Sequence, residues 1–343
     1  MSYCDKFIHL HVHTEYSLLD GASRVADLLD RAVELGMDSL AITDHGAMFG
    51  VIDFYKEAKK RGINPILGVE VYVAIDKYTE REPKDKNQYH LVLLAENDRG
   101  YRNLMKMVSE AYINGFYYKP RVDHDILQEY SEGIIALSGC LAGEVQKYIL
   151  DRNYEGAKAI ALKYNAIFGQ DNFYLELQDH GMEEERQVNE QLIRLSEETG
   201  IPLVATNDVH YLRREDALMH DVLLCIQTGK TVDEEERMKF PTDQFYLKSY
   251  EEMADIFGHI EGALENTVRI AERCDVTLDF DTLHLPEYHV PEGYTNGEYL
   301  RKLCLDGLRA RYPSITEKIM DRFEYELNTI IDMGYVDYFL IVW

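Results

Sequence analysis

The chain has no apolar run approaching roughly 18 residues, no excess of basic side chains and no regular array of cysteines. The first absence argues against a helical membrane span. The N-terminal stretch MSYCDKFIHLHVHTEYS has no basic start followed by an apolar segment, so no secretory signal is expected and the expected location is cytoplasmic. Five cysteines, Cys4, Cys140, Cys225, Cys274 and Cys304, are scattered and odd in number, which fits a reducing compartment better than a disulfide framework. With 36 Lys and Arg against 62 Asp and Glu, the net charge is −26. Such a chain lacks the cations that neutralise a nucleic-acid backbone. Bound divalent ions would offset some carboxylates locally, and a longer chain could supply basic surface elsewhere. There is no internal repeat and no low-complexity tract.

What is present is an alternation of two patterns. FIHLHVH (7–13), SLAIT (39–43), NPILGVEVYVA (64–74), YHLVLLAEN (89–97), GIIALSGC (133–140), NFYLELQ (172–178) and IPLVATNDVH (201–210) read as strands. Helical patterns lie between most of them: 24–36, 51–62, a segment through Leu104, Met107 and Val108, one long stretch ending near 168, and 183–200. Many of the strand runs are too apolar for a half-exposed antiparallel sheet, which predicts a parallel α/β architecture. Seven strands fit a distorted (β/α)7 barrel more simply than an open sheet. The charge-dense segment 76–88 reads as an exposed loop. From about residue 275 the chain becomes rich in turn residues, then helical over about 297–312 and 316–333. Two domains are expected, 1–275 and 276–343. The last segment, GYVDYFLIVW, is apolar where natural ends are usually polar, so a cut inside a larger fold is expected.

Nine side chains with metal-ligand chemistry fall within or just beyond these strands: His11, His13, Asp20, His45, Glu70, His90, Cys140, Asp208 and His210. Active sites of parallel barrels sit at the rim where strands end. Imidazoles, carboxylates and a thiolate suit Zn²⁺ or Mn²⁺, with Fe²⁺ also compatible. The number exceeds the need of one tetrahedral ion and suits about two or three ions sharing a carboxylate. In a strand, positions i and i+2 share a face, so His9, His11 and His13 point together, and Asp208 and His210 repeat the geometry. His9 lies deeper and reads as a packed histidine. Glu70 interrupts the run ILGVEVYVA, where an uncompensated carboxylate would be costly, and it reads as a bridge between ions. His90, at the start of its strand, and Cys140, which alone would pass for a structural cysteine, are the weakest members. Asp44 reads as a helix cap or as a residue that orients a ligand. His180, after a strand, reads as the supporting histidine, whereas His124, His220, His259, His284 and His289 read as surface or supporting residues.

The motifs HLHVHTEYSLLDG, AITDHG, GVEVYVA, YHLVLLAEN, LSGCLAGEV and TNDVHY resemble the polymerase and histidinol phosphatase (PHP) domain family over about residues 5–270. YKPRVDHDIL, LELQDHG and DMGYVDYFLIVW are similar to one branch of it, found at the N-terminus of bacterial DNA polymerase III α subunits. The resemblance implies a (β/α)7 barrel and a three-metal centre. Carried onto this sequence, one ion takes His11, His13, Glu70 and Asp208, a second Asp20, His45 and His210, and a third Glu70, His90 and Cys140. It also implies that residues from about 276 begin a polymerase palm whose catalytic carboxylates lie beyond residue 343.

Three functions follow as expectations. In the first, the barrel is a metal-dependent 3′–5′ exonuclease that proofreads for an attached DNA-directed DNA polymerase. A hydroxide held through His11, His13, Glu70 and Asp208 attacks the terminal phosphodiester of a single-stranded or primer 3′ end. In the second, the barrel is a structural platform that docks a separate proofreading exonuclease subunit and the sliding-clamp assembly, with metals serving folding. In the third, it is a small-molecule phosphatase or a pyrophosphatase. The rest of the polymerase chain and DNA are the expected partners, and a membrane is not.

Overall fold

An apolar run becomes a fully covered strand only where neighbours lie on both of its faces, and residues 64–74 show this most plainly. In the computed structural model, which describes residues 6–282, 286 and 288–343 apart from the side chains of 84 and 85, this run is strand β2 below, buried along nearly its whole length. Cys4 and His284 lie outside the described residues. The strands are β1 (Ser39–Ile42), β2 (Asn64–Ala74), β3 (Gln88–Ala95), β4 (Phe116–Tyr117), β5 (Lys119–Val122), β6 (Ile134–Leu137), β7 (Phe173–Leu177) and β8 (Leu203–Ala205). The helices are α1 (Val25–Glu34), α2 (Val51–Arg61), α3 (Asp98–Ile113), α4 (His124–Glu129), α5 (Glu144–Leu150), α6 (Tyr154–Phe168), α7 (Glu183–Thr199), α8 (Ala217–Thr228), α9 (Tyr250–Phe257), α10 (Glu265–Arg273), α11 (Asn296–Arg311), α12 (Glu317–Asp332) and α13 (Val336–Val342). None of the described helices is long and apolar enough to cross a membrane.

The sheet order is β4-β5-β2-β3-β6-β7-β8, with β1 pairing β2. Segment 9–13 closes the ring. On one side Ala41 and Thr43 donate to His9 and Val12 carbonyls, and on the other Val209 donates to His11 and His13 donates to Val209. The result is a distorted α/β barrel, its staves being segment 9–13, β1, β2, β3, β6, β7 and β8. The helices between strands follow the amphipathic rule. In α1, for example, Val25, Leu28, Leu29 and Ala32 are buried on one stripe. An apolar cluster that includes Leu10, Ile66, Val92, Leu137 and Val204 fills the sheet side and is joined by Val268 and Ile270 of α10.

Three expectations need correction. The barrel is not parallel throughout, because β3 runs antiparallel to both β2 and β6. The connection from β2 carries only a 3-10 turn, Pro83–Lys86, and a parallel return normally needs a crossover helix. Residues 7–13 form no regular ladder, only a bridge from Val12 to Val209. The long helix before residue 168 is two helices, broken where Arg152 takes a positive φ of 58° and Asn153 caps α6. The sequence also concealed the hairpin β4–β5, whose tip residue Tyr118 has φ 61°.

The chain divides into two compact units, Met1–Thr277 and Leu278–Trp343. In the second, α11 starts at a capping box of Thr295 and Glu298, and Leu300, Phe323, Leu327 and Leu340 form the buried cluster. The apolar terminal segment is helix α13.

Candidate metal centre

The turns that follow the strands, together with the start of β3, gather the predicted side chains at one rim. His11 and His13 come from the irregular first stave, His45 follows β1, Glu70 sits within β2, Cys140 follows β6, and Asp208 and His210 follow β8. The antiparallel course of β3 explains His90. A reversed strand brings its first residues, not its last, to the rim where the others end. The register pairs Tyr72 with His90, which places Glu70 and His90 on the same face of the β2–β3 ladder. Two glycines keep the approach close. At Gly46, φ 58°, an added Cβ would lie 2.8 Å from the Tyr72 ring; at Gly139, φ 84°, it would lie 2.7 Å from the His90 carbonyl.

The contacts form one continuous cluster. His11 Nε2 lies 3.4 Å from Glu70 Oε1 and 3.2 Å from Asp208 Oδ1. His13 Nε2 lies 3.5 Å from Glu70 Oε2 and 3.1 Å from Asp208 Oδ1. His45 sits between two carboxylates, Nδ1 2.5 Å from Glu70 Oε2 and Nε2 3.0 Å from Asp20 Oδ2. His90 Nδ1 is 2.8 Å from Glu70 Oε1 and 3.7 Å from Cys140 Sγ. His210 Nε2 reaches Asp20 Oδ1 at 4.0 Å. Donor atoms of His13, His45 and His210, of His11, His13 and Glu70, and of His45, Glu70 and His90 each fall within 4.8 Å of one another. Glu70 occurs in two of those groups, and each of its oxygens faces a different pair of imidazoles, the geometry a bridging carboxylate requires.

Proton bookkeeping fixes which nitrogens face the centre. His11 Nδ1 donates to Glu176 Oε1 at 2.7 Å, so its Nε2 carries the lone pair. Ser17 has one hydroxyl proton, donated to Asp44 Oδ1 at 2.8 Å. Its lone pairs are then left for His13 Nδ1–H at 2.9 Å and the His45 backbone N–H at 3.1 Å. His210 Nδ1 donates to the Asp208 carbonyl at 2.8 Å. Three histidines therefore present Nε2 lone pairs inward.

Most of the atoms at the centre meet only one another, through the ion-pair contacts given above. His11 Nε2, His13 Nε2, His45 Nδ1, Asp20 Oδ1, Glu70 Oε2 and Asp208 Oδ1 are buried and without a hydrogen bond. One such atom costs ~1–3 kcal/mol, and a converging set of lone pairs and carboxylates is what divalent cations satisfy. The residues thus fit a polynuclear metal site. The electrostatics agree. Burial alone would lower the His11 imidazole, but Asp208, Glu176 and Glu70 hold it well above its usual range. Burial likewise opposes the His45 imidazolium, yet Glu70 and Asp20 push it up to about 10. Burial, then His45 and His210, holds His13 down to about 3. Burial and the nearby Glu70 and Asp208 push the Cys140 thiol well up. The carboxylates that favour protons on His11 and His45 would favour cations in the same way.

Asp208 adopts φ 44°, a conformation that costs a non-glycine residue ~1–3 kcal/mol and clusters at functional sites. Its neighbour Asn207 is pinned by bonds to the carbonyls of Gln244 and Tyr246 and by Lys248 Nζ at 2.7 Å. His180 belongs to this support. Its Nε2 donates to the Asn207 carbonyl at 3.0 Å, its Nδ1 meets Glu185 at 2.5 Å, and its ring stacks on Phe245. Asp44 accepts from the Thr14 amide and from Ser17, and so orients His13 through the serine. His9 donates to the Lys248 carbonyl at 2.9 Å, a packed histidine.

One residue escaped the sequence reading, and a second, His220, was read there only as a surface or supporting histidine. Glu176, inside the strand-like NFYLELQ, accepts from His11, Gly139, Gln178 and Thr206. Its signal was the same as that of Glu70, a carboxylate interrupting an apolar strand. His220 on α8 is buried, with Nε2 3.7 Å from Asp20 Oδ1 and no hydrogen bond. Nothing in its local sequence marks it, because the approach of α8 to the rim is tertiary.

Comparison with known proteins bears on the family of the chain. Residues 9–180 match the PHP domain, and residues 298–343 match the Bacterial DNA polymerase III alpha NTPase domain. The chain is 50% identical to DNA polymerase III subunit alpha of Borreliella burgdorferi, over 100% of this chain and 30% of that relative. The same protein of Treponema pallidum is 48% identical over 98% of this chain and 29% of its own length. That of Thermus aquaticus is 45% identical over 95% and 27%. The chain thus spans about 30% of the length of the curated relatives it matches.

Proposed function

The chain belongs to the PHP domain family, as the N-terminal PHP region of bacterial DNA polymerase III α, and from that premise we propose that its rim is a metal-dependent phosphodiesterase acting as a 3′–5′ exonuclease on DNA. The observation that carries the reading is the convergence on one spot of buried ligand atoms that have no hydrogen-bond partner outside their own cluster. A platform that binds no metal would need no such set, and turnover separates a catalytic centre from a metal-stabilised platform.

His11, His13, Glu70 and Asp208 would hold one ion, Asp20, His45 and His210 a second, and Glu70, His90 and Cys140 a third. Bound divalent ions supply charge stabilisation at the phosphoryl oxygens and an activated water at neutral pH. The protein supplies the order. Glu176 keeps the His11 proton on Nδ1, Ser17 and Asp44 keep the His13 proton on Nδ1, and the Asp208 carbonyl does the same for His210. Cys140 lies beside His90 as a ligand and not as an attacking group. Asp20 and His45 line the cleft that opens from the centre, so a terminal phosphodiester meets them first. The longer protein is a DNA-directed DNA polymerase whose palm begins in the helical unit, and the exonuclease would proofread for it.

The test is release of nucleotides from 3′-labelled single-stranded DNA with added Mn²⁺ or Zn²⁺. Release is expected from the unaltered chain and a loss of at least ~100-fold from the His11→Ala, Asp208→Ala variant, the scale on which catalytic charge stabilisation acts. Stoichiometric metal binding without release would replace the exonuclease by a metal-stabilised platform.

A further inference from the structure

Beside the metal centre lies a cleft of about 210 Å³ whose floor holds Asp20 and His45. Its outer wall is aromatic and carries Lys119, a departure from the net charge of −26. Phe49, Tyr112, Phe116 and Tyr118 are 57%, 39%, 47% and 62% exposed. The first three form a row, with ring centroids 6.1 Å apart from Phe49 to Tyr112 and 6.2 Å from Tyr112 to Phe116. Lys119 lines the cleft with the rings, and Lys86 lies beside Tyr118. Lys86 Nζ lies 4.8 Å above Tyr118, and Lys119 Nζ lies 5.2 Å above Tyr72. Tyr72 in turn stacks on His45 at 6.1 Å, and both line the same cleft as the aromatic row.

The hairpin that carries this wall is strained at its tip. Tyr118 has φ 61°, in the region that favours glycine. A mostly exposed tyrosine kept there, its ring meeting, among the described residues, only Tyr117 and Lys86, gains little from burial to offset the backbone cost. Strain of this kind persists where a side chain has a task.

We propose that Phe49, Tyr112, Phe116 and Tyr118 are a nucleobase-stacking subsite for the last bases of a single-stranded 3′ end, with Lys119 and Lys86 meeting the phosphates. The proposal rests on the phosphodiesterase reading of the adjacent centre and adds what positions the substrate there. Rings accept any base by its π-face, and lysine ammonium groups beside the rings supply charge for the phosphates that link the bases. Bases within a duplex are already stacked on each other and cannot reach the rings. The subsite therefore selects ends that have unpaired, the state a mismatch favours, and sets specificity by stacking and not by reading base edges.

The experiment measures binding, with metals chelated so that no cleavage occurs. Fluorescence anisotropy compares a 10-nucleotide oligo-dT with an abasic deoxyribose-phosphate chain of equal length and charge, designed at about that length to fit the site sizes such grooves cover. The unaltered chain is expected to prefer oligo-dT by ~5- to 100-fold, the range of base–aromatic stacking. Phe116→Ala with Tyr118→Gly is expected to abolish the preference. Glycine relieves the positive φ, so a folding defect is not the expected cause. Phe116→Trp should keep or increase the preference. Equal binding of both probes by the unaltered chain, or an undiminished preference in the Ala/Gly variant, overturns the subsite. Hydrolysis of bis(p-nitrophenyl) phosphate by the metal-loaded unaltered chain separates the two readings, since this substrate has no base. If hydrolysis fails while the base preference holds, the phosphodiesterase reading falls and the subsite stands. If hydrolysis succeeds without base preference, only the subsite falls.

Discussion

At the barrel rim His11 and His13 are fully buried and Glu70 and His210 nearly so, whereas in the helical unit the buried cluster is wholly apolar: Leu300, Phe323, Leu327 and Leu340. Partly buried side chains such as Tyr299, Leu303 and Met320 pack around those four. The helical unit thus draws its order from a small apolar cluster and from capped helices. The rim has apolar packing beneath it but leaves ligand atoms unsatisfied at its centre. A polar interior of that kind is stable only to the extent that something completes it. One region should respond to ions and the other to loss of apolar volume, and that contrast can be broken or sharpened by experiment.

The largest effect is expected from Phe323→Ala. Removing this ring from a four-residue cluster should cost ~3–5 kcal/mol. Hydrogen exchange should rise through α11, α12 and α13, while calorimetric titration shows metal uptake by the barrel unchanged. Loss of metal binding in this variant would erase the contrast. Next comes the metal itself. At a free ion concentration near one hundred times the dissociation constant, loading should stabilise the barrel by ~2.7 kcal/mol relative to the chelated protein. The protection gained should concentrate in residues 9–13, 44–46 and 207–210 and be absent from 296–342. Equal protection of both units would mean that the ions act elsewhere. The smallest effect is expected from Glu176→Gln, which keeps the size of the side chain but removes the charge that holds the His11 proton on Nδ1. Metal affinity should fall ~10- to 100-fold, as for other residues that orient ligands, with the fold retained. An unchanged affinity would remove Glu176 from the site.

Much of the candidate site was legible because its members carry local marks. Glu70 interrupts an apolar strand, His11 and His13 alternate with apolar residues, and Asp208 and His210 repeat that spacing. Asp44 was legible as a possible orienting residue, though not its route through Ser17. Glu176 carried the same mark as Glu70 and was overlooked among the more numerous histidines. His220 carried no mark at all.

The sequence by itself determined the alternation of strand and helix, the apolar faces of the helices and the residue types that can hold ions, because periodicity and side-chain chemistry are local properties. Tertiary structure alone decided three things. It reversed β3, and so brought the first residues of that strand to the rim. It let segment 9–13 serve as a stave without a regular ladder. It chose which nitrogen of each histidine faces inward, through partners such as Glu176, 165 residues away from His11 in the chain. Strand direction depends on the length and path of a connection, and a tautomer depends on the nearest acceptor in space, and neither is written in any one stretch of sequence.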